Sequence, residues 1–431
     1  MQGNLLTTVL ALVFYLTSSL FGGNSASHSL SDAGYSGYTK SNNFPRSGTI
    51  SAKQTSLRDN YQNGQPVSTM TAGSRVLILS EKSDWYQVQV NGGAQQGWLP
   101  KWAVSVRSGL TGNTSKQKVI AGYYVENNNK DHKGYRALSE NLGAINTVIP
   151  FSFQVDQYGN IQSAHNPRSV NLAQSAGANT LALVNNIKGS NFNSNTIHRM
   201  LSNSAARSRA VNGITRTLIE KGYQGVNIDF ENVPARDRYY LTAFFSELAS
   251  ELRPRHLLIT ASVPAKTYDD RTSNQSGAFD YKALAPYLDQ VMIMTYDEHY
   301  SGGPAGPVAS YPWVEKVIQY SLNSIPNYKI VLGIAAYGYD WSGNSGKALH
   351  YQGIQNLIRK YKITPKWNSK YRVPYFTYRS WGQTHQVWYE NSFSTSHKAE
   401  LVKKYNLRGV AVWRLGYEDP GIWSTIQRGI M

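Results

Sequence analysis

Residues 225–232 read Gly225-Val226-Asn227-Ile228-Asp229-Phe230-Glu231-Asn232. Successive side chains of a strand point to opposite faces, so Asn227, Asp229 and Glu231 share one face and Val226, Ile228 and Phe230 the other. The apolar face requires a packed neighbour; the polar face carries two acids and an amide. Carboxyl groups turned into a sheet interior are costly to desolvate unless paired, and two neighbouring acids push one pKa up. The result is a carboxylic acid still protonated near neutral pH, which a general acid for glycosidic cleavage requires. Taken alone, Asp-x-Glu also fits a polar edge strand with its acids in water.

The flanking sequence argues against an edge. Apolar, β-branched runs recur at Val119–Val125, Ile145–Phe151, Thr180–Val184, Gly225–Phe230, Leu257–Val263, Gln290–Thr295, Lys329–Ala336 and Gly409–Trp413. Helix-compatible stretches lie between them, among them Asn195–Lys221, Arg236–Leu252, Trp313–Leu322 and Ser396–Tyr405. Eight strands alternating with helices predict an α/β chain folded as a closed (β/α)8 TIM barrel over residues 118–431. An open doubly wound sheet is the alternative, but no Gly-rich phosphate loop follows the first strand. The gap from Tyr337 to Leu407 is too long for one crossover and predicts an inserted α+β subdomain at about 342–406, with 374–378 and 385–389 as paired strands. In such a barrel chemistry sits at the carboxyl ends of the strands, where the acids of the fourth run lie.

Upstream the composition changes. Leu5–Leu16 is a mostly apolar run too short to span a bilayer and is followed by small polar residues, so residues 1–26 are expected to be a cleaved export signal, although no Lys or Arg precedes the run. Residues 27–48 and 107–117 are polar, Ser- and Gly-containing linkers. Between them, 49–106 reads as short strands, with Asn91-Gly92-Gly93 as a hairpin turn, and predicts a small all-β barrel. Leu57-Arg58, Gly73-Ser74-Arg75-Val76, Trp85-Tyr86-Gln87-Val88 and Gly97-Trp98-Leu99 resemble the bacterial Src-homology-3-like (SH3) domain, which implies a module tethering an enzyme to the cell wall. Trp85, Trp98 and Trp102 are either core residues, the commoner fate in so small a barrel, or a contact surface.

Composition narrows the chemistry further. The 431 residues include no cysteine, which excludes disulfides, thiolate metal sites and a Cys nucleophile. The formal charge is +17, with +5 over residues 1–117 and +12 over the remainder. A distributed positive charge suits an anionic cell-wall surface; without a basic run or zinc-finger spacing, nucleic acid is not expected as a partner. The nine His form no His-Glu-x-x-His, so His299 and His385 read as hydrogen-bond partners and no metal or other cofactor is required.

The fourth run, taken with the preceding Gln224, resembles the Asp-x-x-Asp-x-Asp-x-Glu signature of glycoside hydrolase family 18. Met292-Ile293-Met294-Thr295-Tyr296-Asp297-Glu298-His299, Leu332-Gly333-Ile334 with Tyr337-Gly338-Tyr339-Asp340-Trp341, and Gly409-Val410-Ala411-Val412-Trp413-Arg414-Leu415-Gly416 resemble its sixth to eighth strands. The inserted His385-Gln386-Val387-Trp388-Tyr389-Glu390 is similar to the branch that cuts peptidoglycan, including spore cortex-fragment lytic enzymes. The resemblance implies Glu231 as proton donor and Asp229 as the group that orients and stabilises the substrate's acetamido group. It further implies Tyr296 as a hydrogen-bond donor to that group, Trp413 beneath the sugar ring and Asp297 as a hydroxyl acceptor. Asn227 belongs to the substrate site, and Tyr124, Asn185, Tyr337 and Trp341, near strand ends, are candidate subsite walls. Family 18 uses the acetamido oxygen as nucleophile, so no protein nucleophile is needed. Gln224 and Asn227 replace two signature aspartates; an amide at 227 cannot share a proton with Asp229, which is therefore expected to stay ionised.

Three functions follow from this reading. The first is a secreted, cell-wall- or spore-associated, monomeric hydrolase of β-1,4 bonds at N-acetylglucosamine in peptidoglycan. The second is a chitinase, and the third a non-catalytic lectin, disfavoured by the presence of both acids.

Overall fold

The computed structural model describes residues 46–90, 95–106, 117–126, 132–163 and 167–430. The expected export signal, the first linker up to Pro45, the Asn91-Gly92-Gly93 turn and residues 107–116 lie outside the described residues. The chain divides into two units.

The smaller unit is antiparallel β. Strands Arg46–Ile50, Gln54–Arg58, Pro66–Thr71, Arg75–Lys82, Trp85–Val90, Gln96–Pro100 and Val104–Val106 join in one seven-stranded sheet. Ile50, Leu57, Ile78, Val88 and Leu99 are buried at its core. The first strand starts at Arg46, inside the stretch expected to be linker. Its backbone pairs Arg46–Thr49 with Arg75–Ile78, and Gly48 suits the close approach because an added Cβ would lie 2.7 Å from Val104 Cγ1. Trp98 is buried as a core tryptophan should be, Trp85 is half-buried, and Trp102 is 73% exposed.

The larger unit contains eight parallel strands, β1 (Val119–Tyr124), β2 (Thr147–Pro150), β3 (Asn179–Asn185), β4 (Gly225–Asp229), β5 (Leu258–Pro264), β6 (Gln290–Met294), β7 (Ile330–Ala335) and β8 (Gly409–Trp413). Each pairs with the next, and β8 pairs with β1 from Gly409↔Val119 to Val412↔Gly122, which closes the barrel. Alternation then sorts the side chains. Ala121, Tyr123, Ile149, Leu181, Leu183, Met292, Val331 and Ala411 meet inside the barrel. Val226, Ile228 and Phe230 face outward into the larger core shared with the helices, where Phe230 lies 5.4 Å from Phe244 between ring centroids.

The helices are α1 (Lys133–Glu140), α2 (Pro167–Ser175), α3 (Ser194–Ser202), α4 (Ser204–Lys221), α5 (Arg238–Leu252), α6 (Tyr281–Leu284), α7 (Tyr311–Leu322), α8 (Tyr351–Tyr361), α9 (Ser392–Lys404) and α10 (Ile422–Ile430). The periodic stretch 195–221 is two helices. Asn203 is extended between them and its Oδ1 accepts from the N–H groups of Ala205 and Ala206, starting α4 afresh. α4 ends on Gly222 at φ 71°, a left-handed position that favours glycine.

The insertion is a five-stranded antiparallel sheet, ordered Ser345–His350, Tyr337–Ser342, Gln383–Tyr389, Val373–Ser380 and Lys366–Asn368, together with α8. The two strands expected at 374–378 and 385–389 pair in register, Tyr375 with Trp388 and Tyr378 with His385. Its bounds differ from 342–406. Only Ala336 separates β7 from the first added strand, so no loop marks the change, and Asn391 caps α9 with a reciprocal Ser394 hydrogen bond, which returns residues 392–404 to the barrel.

The barrel seam leaves no room at Gly409, whose φ is 158° and where an added Cβ would lie 1.9 Å from the Val119 carbonyl oxygen. Gly409→Ala should destabilise the protein by about 3 kcal/mol or more, at the high end for one substitution. Chemical denaturation compared with the wild type measures it.

Candidate active site

β4 ends at Asp229, and its inward face carries Asn227 and Asp229 at the carboxyl end of the barrel. Asn227 is fully buried because both ends of its amide are used: Nδ2 donates to Ser262 Oγ at 2.9 Å and Oδ1 accepts from Thr260 Oγ1 at 2.9 Å. A carboxylate could fill only the acceptor half. Tyr123 OH also lies 2.9 Å from Ser262 Oγ, and Ser262 hydrogen-bonds Asp229. Asn227 Nδ2 is the donor to Ser262 Oγ, and between Tyr123 and Ser262 either hydroxyl can donate. Gln224, the other departure from the signature, is bonded away from the acids: Oε1 accepts from the Thr180 N–H at 2.7 Å and Nε2 donates to the Gly222 carbonyl at 2.9 Å.

Burial raises the pKa of Asp229, opposed by the Ser262 hydrogen bond. Withdrawal from water works against the charge expected on Asp229, and Ser262 is the group that favours it. Glu231 lies beyond the strand end. Its pKa is raised well above the ordinary value by burial first, then by the negative charges of Asp229 and Asp297.

Asp297 follows β6 in a left-handed conformation, φ 59°. Tyr337 OH and Tyr339 OH both donate to its Oδ1, at 2.6 and 3.0 Å. Burial nevertheless raises its pKa against these two bonds. Asn232, directly after Glu231, is also left-handed at φ 54°, so one acid and the residue next to another sit in a conformation strained for a non-glycine residue. Tyr296 lies in the same field of charges as Tyr123, Asp229, Glu231 and Asp297, and its ring meets Tyr337 at 6.3 Å. Trp413 ends β8 half-buried, edge-on to Tyr123 at 5.4 Å and Phe151 at 5.6 Å.

The structure thus brings Asn227, Asp229, Glu231, Tyr296, Asp297, Tyr337 and Trp413 to one end of the barrel. Asn185 joins them, in register with Asp229; its Oδ1 accepts from the Ile187 N–H at 3.1 Å, and its buried Nδ2 has no hydrogen-bond partner among the described residues. Tyr124 and Trp341 are placed elsewhere. Tyr124 is turned outward into the helix-side core with its OH on Glu126, since Tyr123 takes the inward position. Trp341 is buried in the added sheet, its Nε1 on the Tyr300 carbonyl, and offers no face to a ligand. His299 bonds the Pro307 carbonyl and His385 bonds Asp340, both as hydrogen-bond partners. Sequence reading missed Tyr123, Ser262 and Tyr339; the inward register of β5, where Thr260 and Ser262 alternate with Ile259, Ala261 and Val263, would have found Ser262.

A raised pKa is also a statement about stability. Protonated Glu231 is the form the folded protein favours, so its contribution is full below pH 4.5 and is lost as pH rises through the raised value. Glu231→Gln should raise the melting temperature by about 2 °C or more at pH 7.5. The gain should vanish at pH 4, which a pair of thermal scans reads directly.

The model of the glycosyl hydrolases family 18 matches residues 119–418. Over 322 residues the chain is 31% identical to the "Uncharacterized glycosylase YvbX" of Bacillus subtilis (strain 168), covering 73% of this chain and 94% of that one. It is 30% identical over 288 residues to the cortical fragment-lytic enzyme of Bacillus anthracis, covering 64% of this chain and 66% of that one. Among solved structures, the spore cortex-lytic enzyme SleL of Bacillus megaterium QM B1551 is similar at a TM-score of 0.68 and 26% identity, with 78% of this chain and 77% of that chain covered. A chitinase from Chromobacterium violaceum ATCC 12472 is similar at 0.69 and 28%, with 73% and 99% covered. With an acid-bearing fourth strand inside a closed (β/α)8 barrel and a family match over most of its length, the chain belongs to the glycosyl hydrolases of family 18 and is a glycoside hydrolase.

Proposed function

We propose that the enzyme hydrolyses β-1,4 bonds at N-acetylglucosamine in peptidoglycan, of cell wall or spore cortex fragments, with the substrate's acetamido group as nucleophile. The observation that supports this most is Glu231 at the barrel mouth, whose pKa is raised well above the ordinary value by burial and by the neighbouring Asp229 and Asp297. Glu231 gives its proton to the glycosidic oxygen as the C1–O bond breaks. The acetamido carbonyl oxygen bonds to C1 on the opposite face, forming an oxazolinium ion. Asp229, charged with the help of Ser262, accepts from the acetamido N–H, and Tyr296 OH donates to its oxygen. Water then attacks C1 as its bond to the acetamido oxygen breaks and regenerates the acetamido group, and the water gives a proton to Glu231, so the configuration is retained. Asn227 holds Ser262, Trp413 supports the sugar ring, and Asp297 and Asn185 offer an acceptor and a donor to sugar hydroxyls.

Peptidoglycan is preferred over chitin because of the inserted strand pair and the small N-terminal β unit, read as an SH3-like wall tether on a secreted chain. Among the described residues no helix is long and apolar enough to cross a membrane. Chitin is the second reading, supported by the likeness to the Chromobacterium chitinase.

Purified peptidoglycan, cortex fragments and chitin digested in parallel, with mass spectrometry of the new reducing ends, decide between the two. Glu231→Gln should lower turnover by roughly 10²–10⁴-fold while glycan binding persists. The wild-type rate should fall as pH rises through the raised Glu231 pKa, and a thiazoline analogue should compete with substrate. A trapped glycosyl ester on the protein would contradict the mechanism.

The tether has its own test. Trp102→Ala should weaken retention on insoluble sacculi, where a second binding module raises the local concentration of the site. The rate on soluble oligosaccharides should stay unchanged, because the reacting groups all lie in the barrel. Equal losses on both substrates would remove the tether role.

A further inference from the structure

Glu231 faces a positional problem. A general acid must be held to within fractions of an ångström, yet β4 ends at Asp229 and the backbone ladder between β3 and β4 stops at the pair Asn185↔Asp229. Past that pair, β3 departs into a short hairpin, Ile187–Lys188 with Asn191–Phe192, and among the described residues no strand partner remains for the Glu231 peptide. The side chain of Asn186 takes the place of the missing strand. Its Oδ1 accepts from the Glu231 N–H at 3.0 Å and its Nδ2 donates to the Glu231 carbonyl at 2.9 Å.

Asn186 is fully buried, and it is itself held: its backbone carbonyl accepts from the Asn193 N–H at 3.0 Å, and Nδ2 also reaches the Asn193 carbonyl at 3.3 Å. An amide is the side chain suited to this work, since one planar group presents a donor and an acceptor with the spacing of a peptide. We infer that Asn186 is a positioning residue for the general acid, fixing the Glu231 peptide as a ladder strand would and so holding its carboxyl inside the site. This rests on the reading of Glu231 as the acid. It also assigns the β3 hairpin a task, because Asn193 at its base keeps the amide in place.

Asn186→Ala removes both bonds, and Asn186→Ser, too short to reach but small and polar, serves if the alanine variant does not fold. On soluble N-acetylglucosamine oligomers, kcat should fall 10–100-fold with KM within about threefold of the wild type, and the alkaline limb of the pH profile should move to lower pH as Glu231 relaxes toward water. A kcat within threefold and an unmoved limb would overturn the inference.

A second measurement does not need turnover. The gain in melting temperature from Glu231→Gln at pH 7.5 is compared in wild-type and Asn186-substituted proteins. It should shrink by more than half when the amide is gone; an equal gain in both overturns the positioning role. If the wild type cleaved none of the three glycans, the reading of the reaction would fail while this comparison still decided what Asn186 does.

Discussion

The mouth of a closed barrel has little water to offer, and two carboxyl groups at the end of one short strand cannot both be charged there without help. Everything around β4 in this protein answers that constraint. Asp229 receives the Ser262 hydroxyl, whose oxygen accepts from Asn227 and is also hydrogen-bonded to Tyr123. Asp297 receives two tyrosine hydroxyls. Glu231, at the end of the series, is buried and receives negative neighbours instead of donors, and both raise its pKa well above the ordinary value. One site thus distinguishes three acids by the number of donors aimed at each.

The replacement of a signature aspartate by Asn227 fits the same scheme. A third acid beside Asp229 would have to share or surrender a proton; an amide gives Ser262 a hydrogen bond with no charge to accommodate. The exchange moves the support of Asp229 from a neighbour on its own strand to β5 and β1, through Ser262 and Tyr123. A route through neutral groups does not titrate near neutral pH, so the electrostatic setting of Asp229 depends on fewer ionising partners.

Much of this was legible in the sequence because a strand has a period of two. The alternation at 225–231 predicted the inward acids, and the eight apolar runs predicted the barrel, with ends displaced by a few residues. What was not legible involved contacts distant in sequence or transitions without punctuation. Tyr124 was chosen over Tyr123 because nothing in Val119–Val125 marks which side faces in, since both sides are apolar. Trp341 looked like a strand-end aromatic, but Ala336 is the only residue between β7 and the added sheet, so the turn away from the barrel left no mark. Asn203 lies in a continuous helical pattern and interrupts it with a side-chain cap. Asn186 reads as one more polar residue after a strand, and its relation to Glu231 exists only once β3 and β4 lie side by side.

The two hydroxyls on Asp297 come from Tyr337 and Tyr339, alternate residues of the first strand of the insertion, whereas Asp297 itself belongs to the end of β6. The added sheet is therefore joined to the barrel by chemistry as well as by chain. A chimaera that exchanged this subdomain at the point where the barrel strand ends would discard both hydroxyls and leave the carboxylate without them. A junction placed after Tyr339 would keep them, so the boundary at which this enzyme can be recombined with its relatives lies inside the added strand, not at its start.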